Sequence, residues 1–284
     1  MLHRLQPYRD PLVQVIADAL AKALEAHRKS ATSETSIEFE CRLGTYSAAR
    51  HSFTHPFSTH TNTPAVLQEG PTALPFFFFS GVSQPTFYAL HDELKKASTG
   101  RGVPPRSTVT LSVHTVGALR AEYAMNDQCN EGVLQSVTEK ERIFAHNVRC
   151  PTWAADFRLS VSREKRVCID NWTSDKWEHV IPKISRLRQR KSVSVSPLFT
   201  IDLSVVRSFT DHSRFVNPLG PRLQVPLVSA PYLSYDVELE VKIDALKREV
   251  HRTRLLDSTA WRTAENVLTL LQFMTVKREN SRQK

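Results

Sequence analysis

Two Glu-X-Glu stretches hold the side chains of this chain that are best suited to chemistry. Their glutamates are Glu38, Glu40, Glu238 and Glu240. In both stretches apolar and polar residues alternate, so each would place its two glutamates on one face of a β-strand. Carboxylates that close repel each other unless water, basic groups or a cation separates them. Brought together, four such carboxylates would suit Mg²⁺ or Mn²⁺, whereas either stretch alone also fits a half-buried strand with one wet face.

Other stretches with the same alternation carry basic and hydroxyl side chains. Their polar residues include Arg120, Lys140, Arg158, Ser160, Ser162, Glu164, Arg186, Arg188, Arg190, Thr200, Asp202 and Ser204. At least five predicted strands thus have a continuous polar face, and most have an apolar face opposite. If the apolar faces contact helices outside, the polar faces must line an interior. The pattern therefore favours a closed antiparallel β-barrel with a hydrophilic lumen, and a curved open sheet whose polar face meets water remains the alternative.

The sequence predicts a single α+β domain over residues 1–284. The two acidic strands lie near opposite ends of the chain, and they can meet only within one domain. Amphipathic periodicity predicts helices at about 11–27, from Ser83 or Gln84 to about 100, at 245–256 and at 259–274. The Ser/Thr/His/Pro-rich segment at about 46–74 is expected to be a loop or disordered insertion, and residues 277–284 a basic tail. The apolar run Phe76–Phe79 is expected to pack into the domain rather than to bind a ligand.

Composition narrows the functional classes. The formal charge of +9 favours a polyanionic partner such as nucleic acid or polyphosphate. The four cysteines form no C-X-X-C pair, which excludes a zinc-ribbon pattern and fits a reducing, intracellular compartment. The histidines at 51, 55 and 60 lack the spacing of a metal site on one helical face. No run approaches the roughly 18 apolar residues of a membrane span, so no membrane partner is expected.

A lumen with carboxylates on two strands and guanidinium groups on another suggests a division of labour. The carboxylates would hold a divalent cation, and the arginines would hold phosphate oxygens. Phosphoryl transfer requires little more than a metal, cationic clamps and a placed water. The structural alternative is an internal salt-bridge network without substrate, which would desolvate many charges for no function.

These stretches resemble the triphosphate tunnel metalloenzymes. The two Glu-X-Glu motifs look like the metal-binding motifs of that family. The intervening strands are similar to the fungal and protozoan type of mRNA-capping RNA 5′-triphosphatase, in a kinetoplastid-like, stand-alone form. They are 119–123, 139–143, 156–164, 186–192 and 201–204. The resemblance implies an eight-stranded tunnel with helices packed outside, a Mg²⁺ or Mn²⁺ ion, and release of the γ-phosphate from the 5′-triphosphate end of nascent RNA.

The resemblance also implies a role for each matched residue. Glu38, Glu40, Glu238 and Glu240 would coordinate the metal. The phosphates would contact Arg120, Lys140, Arg186, Arg188 and Arg190, with Arg158 a further substrate-binding residue. Glu164 would help to place the attacking water, and Asp202 would support the basic side chains. Arg188 stands where a lysine is common in the family, which preserves the charge.

Other functions remain open at the level of sequence. The same tunnel could hydrolyse inorganic triphosphate or nucleoside triphosphates. A non-catalytic polyphosphate- or RNA-binding module is the alternative of a different class, although so many carboxylates would weaken pure anion binding. The capping role implies a nuclear location and possible association with other capping enzymes.

Overall fold

The computed structural model describes residues 10–30, 34–49, 52–56, 62–67, 76–100, 102–126, 128–167, 181–212, 215, 221–225 and 232–275. Its helices are α1 (Pro11–Lys29), α2 (Gln84–Gly100), α3 (Ile243–Thr253) and α4 (Leu256–Thr275). Its strands are β1 (Thr35–Ala49), β2 (Ser52–Pro56), β3 (Ala65–Leu67), β4 (Phe77–Ser80), β5 (Arg106–Thr115), β6 (Leu119–Met125), β7 (Glu131–Arg149), β8 (Asp156–Val167), β9 (Pro182–Ser194), β10 (Phe199–Phe209), β11 (Arg222–Gln224) and β12 (Tyr232–Val241). The four predicted helices are present, each within a few residues of its expected ends.

Eight of the described strands close into an antiparallel barrel. Around the barrel their order is β1, β8, β7, β6, β5, β9, β10 and β12, and β12 then pairs with β1. The short strands β2, β3, β4 and β11 extend the wall at its rims by pairing with β1 or β7. The predicted α+β fold with a closed eight-stranded antiparallel barrel is therefore confirmed.

The outer wall of the barrel is apolar and covered. One cluster of buried residues joins α1 and α4 to the outward faces of β1, β8, β10 and β12, with Leu20, Phe39 and Leu239 fully buried in it. A second cluster lies outside β5, β6 and β9 and includes Phe209 at the end of β10, and Phe215 and Leu223 from the segment that follows. Because apolar side chains occupy the outside of these strands, the alternate side chains point into the lumen.

Local interactions explain where α1 begins. Asp10 caps the helix, since its carboxylate accepts a hydrogen bond of 2.8 Å from the backbone N–H of Leu12. Pro11 occupies the first turn, where its missing N–H costs no hydrogen bond. No described helix is long and apolar enough to span a membrane.

The segment at about 46–74 departs from its prediction as a loop or disordered insertion. Residues 46–49 continue β1, and 52–56 and 65–67 form short strands, so that part of the prediction is wrong. The continuation of β1 has partners, because Tyr46 and Ser47 pair with β4 and the next residues with β2. His51, His60 and the tail 277–284 lie outside the described residues, and the side chain of His55 is not described.

Gly44 allows β4 to lie close to β1. A Cβ atom at Gly44 would lie 2.5 Å from Cζ of Phe78 and closer still to the carbonyl oxygen of Phe79. Gly44→Ala should therefore lower the free energy of unfolding by about 2 kcal/mol, as overpacking does. Urea denaturation followed by circular dichroism would measure this loss. Gly117→Ala is the control, because the nearest atom there, Oγ1 of Thr115, is 3.8 Å away. Equal stabilities of the two variants would contradict this account of β4.

Candidate active site

The inward faces of the barrel strands enclose a charged cavity of about 210 Å³. Its lining residues are Glu38, Glu40, Arg42, Arg120, Glu122, Lys140, Glu164, Arg188, Arg190, Asp202, Glu238 and Glu240. All twelve side chains are ionisable, so the wall of this cavity consists of acidic and basic groups. Ten of them are residues for which the sequence predicted a role.

Strand pairing brings the two Glu-X-Glu motifs together. In the β1–β12 pair, Glu40 lies directly opposite Glu240 and Arg42 lies opposite Glu238. Side chains that are direct cross-strand neighbours have Cβ atoms about 5 Å apart. Asp202 adds a further carboxylate, since it lies opposite Glu238 in the β10–β12 pair. The seam between β1 and β12 is therefore the most acidic part of the lumen wall.

Lys140 and Arg120 neutralise carboxylates on the other side of β1, away from β12. The Lys140 ammonium donates a hydrogen bond to Glu38 and lies 3.2 Å from Oε1 of Glu164. Arg120 donates to the same Oε1 atom at 3.0 Å. Two basic side chains thus hold Glu164 in place in the lumen, where the sequence assigned it to the attacking water.

Arg42 lies between the two Glu-X-Glu motifs. Its Nη2 atom is 2.6 Å from Oε1 of Glu238 and 3.3 Å from Oε2 of Glu40. Arg190 makes the next pair along the lumen, with Nη1 3.1 Å from Oδ2 of Asp202. Glu238 and Asp202 are buried, and Glu238 is only 8% exposed. Such pairs offset the high cost of placing charge away from water.

The arginines nevertheless retain unused donors. The Nε atoms of Arg42, Arg120, Arg188 and Arg190 are buried and have no hydrogen-bond partner among the described residues. Arg188 is itself only 7% exposed. Buried donors without acceptors are costly, so an oxygen-rich anion that fits this cavity would find several guanidinium groups ready to donate.

Burial and neighbouring charges separate the pKa values of the glutamates. Burial, with Glu40 close by, raises the pKa of Glu38 to about 7. Burial also acts on Glu40, but Arg42 and Lys140 outweigh it and hold its pKa at about 2. Burial and the nearby Asp202 raise the pKa of Glu240. Burial acts on Glu238 too, but Arg42 outweighs it and lowers the pKa of Glu238, so of the four glutamates only Glu38 and Glu240 have raised pKa values.

The donor set of this cavity fits a hard divalent cation. The four glutamates offer only oxygen, they share one cavity, and their raised pKa values at Glu38 and Glu240 mark a place where added positive charge is favourable. Within the described ranges, no three acidic, histidine or cysteine side chains stand close enough to form a preformed metal cluster. Glu38, Glu40 and Glu238 are bonded to Lys140 and Arg42 instead.

Two predicted substrate-binding residues lie in a neighbouring cavity. Arg158 and Arg186 line a space of about 370 Å³ further along the lumen, which adjoins the first cavity at Glu40 and Arg42. The structure therefore brings Arg120, Lys140, Arg188 and Arg190 into the cavity that holds all four Glu-X-Glu glutamates, but not Arg158 or Arg186.

The structure adds residues to which the sequence assigned no role. Arg42 and Glu122 line the first cavity, and Arg142 and Asp236 line the second. Their position along the strand is the signal that could have revealed them. Arg42 lies two residues after Glu40 and so shares its face of the strand, and Glu122 shares the face of Arg120 in the same way.

Comparison with solved structures shows the same fold in the S. pombe Pct1 RNA triphosphatase. The structure of the S. pombe Pct1 RNA triphosphatase in complex with the Spt5 CTD is 18% identical, with a TM-score of 0.69 over 96% of this chain and 95% of that chain. A structure of Pct1 itself is 16% identical, with a TM-score of 0.69 and 96% of both chains covered. The Mimivirus capping enzyme triphosphatase is 13% identical, with a TM-score of 0.45.

No family model matches the chain, and neither does any curated protein. At these low identities, the agreement with Pct1 over nearly the whole of both chains is evidence about the fold. It supports the resemblance seen in the sequence, because both point to the same closed barrel. The chain has the eight-stranded tunnel fold of the Pct1 RNA triphosphatase.

Proposed function

We propose that the protein is a metal-dependent polynucleotide 5′-triphosphatase that removes the γ-phosphate from the 5′-triphosphate end of nascent RNA, the first step of mRNA cap formation. The observation that carries the proposal is the cavity in which four glutamates lie beside arginines whose buried Nε donors have no partner among the described residues. The likeness of the fold to an RNA triphosphatase supports it. Such an enzyme belongs to the hydrolases that act on phosphoanhydride bonds.

The basic side chains would bind the triphosphate. Arg188 and Arg190 lie on β9 beside the carboxylate seam, and Arg120 and Lys140 lie across the lumen. Guanidinium groups match phosphate oxygens in pairs, and they offset the negative charge that spreads over these oxygens as the bond to the leaving phosphate breaks. Asp202 orients Arg190 through their ion pair of 3.1 Å.

Glu164 would position the water. Its carboxylate is held by Lys140 and Arg120, at 3.2 and 3.0 Å, so that an oxygen atom can accept a hydrogen bond from water in a fixed direction. Attack by this water on the γ-phosphorus forms one P–O bond and breaks the phosphoanhydride bond. The products are inorganic phosphate and a 5′-diphosphate RNA.

Glu38, Glu40, Glu238 and Glu240 would hold Mg²⁺ or Mn²⁺. A cation bound by these residues supplies Lewis-acid polarisation of the phosphate oxygens. The proposed role in capping also places the protein in the nucleus, in association with other capping enzymes.

Metal binding can be tested independently of turnover. Saturating Mn²⁺ or Mg²⁺ should raise the melting temperature of the wild-type protein, because a ligand present at 100 times its Kd stabilises the folded state by about 2.7 kcal/mol. A chelator should reverse the shift. The shift should disappear in Glu40→Gln and Glu240→Gln, and it should remain in Glu249→Gln, whose side chain bonds to Arg252 on α3 outside the barrel. A full shift in both lumen variants would contradict the metal assignment.

The proposed activity is tested by release of labelled γ-phosphate from a 5′-triphosphate RNA with added Mg²⁺ or Mn²⁺. Arg188→Ala should lower kcat/KM by a factor of about 10² or more, since it removes buried donors to the phosphates. Arg188→Lys should retain more activity if the contact is chiefly one of charge, and as little as Arg188→Ala if paired geometry matters.

Arg207→Ala is the matched control, because Arg207 is exposed on the adjacent strand β10, and it should behave as wild type. Glu240→Ala should be inactive. A folded, metal-loaded wild-type protein that releases no phosphate from RNA but does so from nucleotides or inorganic triphosphate would replace the proposed substrate. No release from any of the three would indicate a binding module.

A further inference from the structure

The two cavities of the lumen differ in charge. Seven carboxylates and five basic groups line the first cavity, so carboxylates are in excess. In the second cavity the balance is reversed, because four arginines face only two carboxylates, those of Glu40 and Asp236. Asp236 is buried and already accepts a hydrogen bond of 2.9 Å from Ser234. The lumen is therefore polarised from an acidic end to a basic end, with Arg42 and Glu40 at the boundary.

The basic end also contains an aromatic wall. In the β1–β4 pair, Tyr46 lies opposite Phe78 and Gly44 lies opposite Ser80. Because Gly44 has no side chain, the Phe78 ring occupies the space above it and lines the second cavity. Tyr46 supports this ring from behind, with the two centroids 5.0 Å apart. The apolar run predicted only to pack into the domain thus presents part of its surface to the lumen.

Arginine side chains surround this aromatic wall. The guanidinium carbon of Arg158 lies 4.5 Å from the centroid of Phe78, and its Nε donates to Asn147 at 2.8 Å. The Arg158 guanidinium is therefore held over the Phe78 ring. Arg142 is exposed at the same cavity, and Arg186 reaches it from β9. The Oγ atom of Ser80 is buried there and has no partner within the described part of the chain.

Flat arginine and aromatic surfaces beside free cationic groups are the usual means by which proteins bind unpaired nucleotides. Bases stack on aromatic rings and guanidinium planes, and arginines contact the backbone phosphates. The position agrees with such a role, since Arg158 lies opposite Arg42, and at about 3.3 Å per residue this level is about 13 Å along β1 from Glu38. A polyanion would be repelled from the acidic end and attracted to the basic end.

We propose that the cavity bounded by Phe78, Arg142, Arg158 and Arg186 binds the first nucleotides of the RNA, and that the RNA strand leaves the lumen through this basic end. The proposal rests on the proposed function and deepens it. It assigns the γ-phosphate to the carboxylate cavity and the nucleoside with its 3′ phosphate to the basic cavity. This second site distinguishes an RNA end from inorganic triphosphate, which has no base to stack.

The test compares kinetic constants for two substrates, a short 5′-triphosphate RNA and inorganic tripolyphosphate. Phe78→Leu preserves an apolar side chain against Tyr46 but removes the aromatic ring over which the Arg158 guanidinium lies. Arg142→Gln removes an exposed charge at the basic end. Each variant should raise KM for RNA about tenfold, in line with the loss of one stacked base or phosphate contact, while kcat/KM for tripolyphosphate stays within twofold of wild type.

Arg166→Gln is the matched control for direction. Arg166 has the same strand parity on β8 as Glu164 but is exposed at the opposite, acidic end, so its loss should leave KM for RNA unchanged. A larger rise in KM for RNA with Arg166→Gln than with Arg142→Gln would overturn the proposed direction. Equal losses on RNA and tripolyphosphate in the Phe78 and Arg142 variants would overturn the nucleotide site while leaving the triphosphatase function intact.

Failure of the proposed function has a different signature. A wild-type protein that hydrolyses tripolyphosphate but releases nothing from RNA would remove both the RNA substrate and the nucleotide site. Circular dichroism melting of each variant ensures that a raised KM reflects binding, since an unfolded fraction would lower the rate on both substrates equally.

Discussion

Charge neutralisation inside a closed barrel is the constraint on which this structure depends. The outward faces of β1, β8, β10 and β12 pack with α1 and α4 into an apolar core. The polar faces of these strands must therefore point into the lumen. Charges in such a space lose hydration and must find opposite charges at short range. The pairs of Arg42 with Glu238 and of Lys140 with Glu164 meet this requirement.

The neutralisation is incomplete in a way that suits a binding site better than a structural network. A purely structural network would be expected to satisfy every donor, since an unpaired buried group costs free energy. Here the Nε atoms of four lumen arginines lack partners within the part of the chain that the structure describes, and burial, with Glu40 close by, raises the pKa of Glu38 to about 7. Unsatisfied donors and crowded carboxylates in one cavity are complementary to an anion and a cation that enter together.

The alternation of apolar and polar residues made the barrel and much of its charged lumen predictable from sequence. Parity alone indicates which side chains of β1, β9, β10 and β12 share a face, and the resemblance supplies the number of strands and the metal motifs. Parity does not give height in the barrel. Arg186 and Arg190 share a face but lie four residues, or about 13 Å, apart along β9, which is why they line different cavities.

Other features escape prediction for equally physical reasons. The bulges between Glu122 and Tyr123 and between Arg142 and Phe144 interrupt the alternation of β6 and β7, so a simple period-two pattern loses its register there. The continuation of β1 through residues 46–49 depends on pairing with β2 and with β4, and β4 lies about 30 residues away, so the composition of 46–49 does not reveal it. Arg42 carries no signal beyond parity, because its role depends on two carboxylates from different strands.

The pairing of β1 with β12 also affects the order in which the protein folds. These strands are separated by about 200 residues, so the contact that completes the ring is among the most non-local in the chain and should form late, after a large loss of loop entropy. The same seam carries Glu40 opposite Glu240. Assembly of the acidic cavity and closure of the barrel are therefore a single event, and a folding intermediate with an open seam would have its arginines and aromatic wall but no complete carboxylate set. The protein would acquire competence for chemistry only in the last step of its own folding.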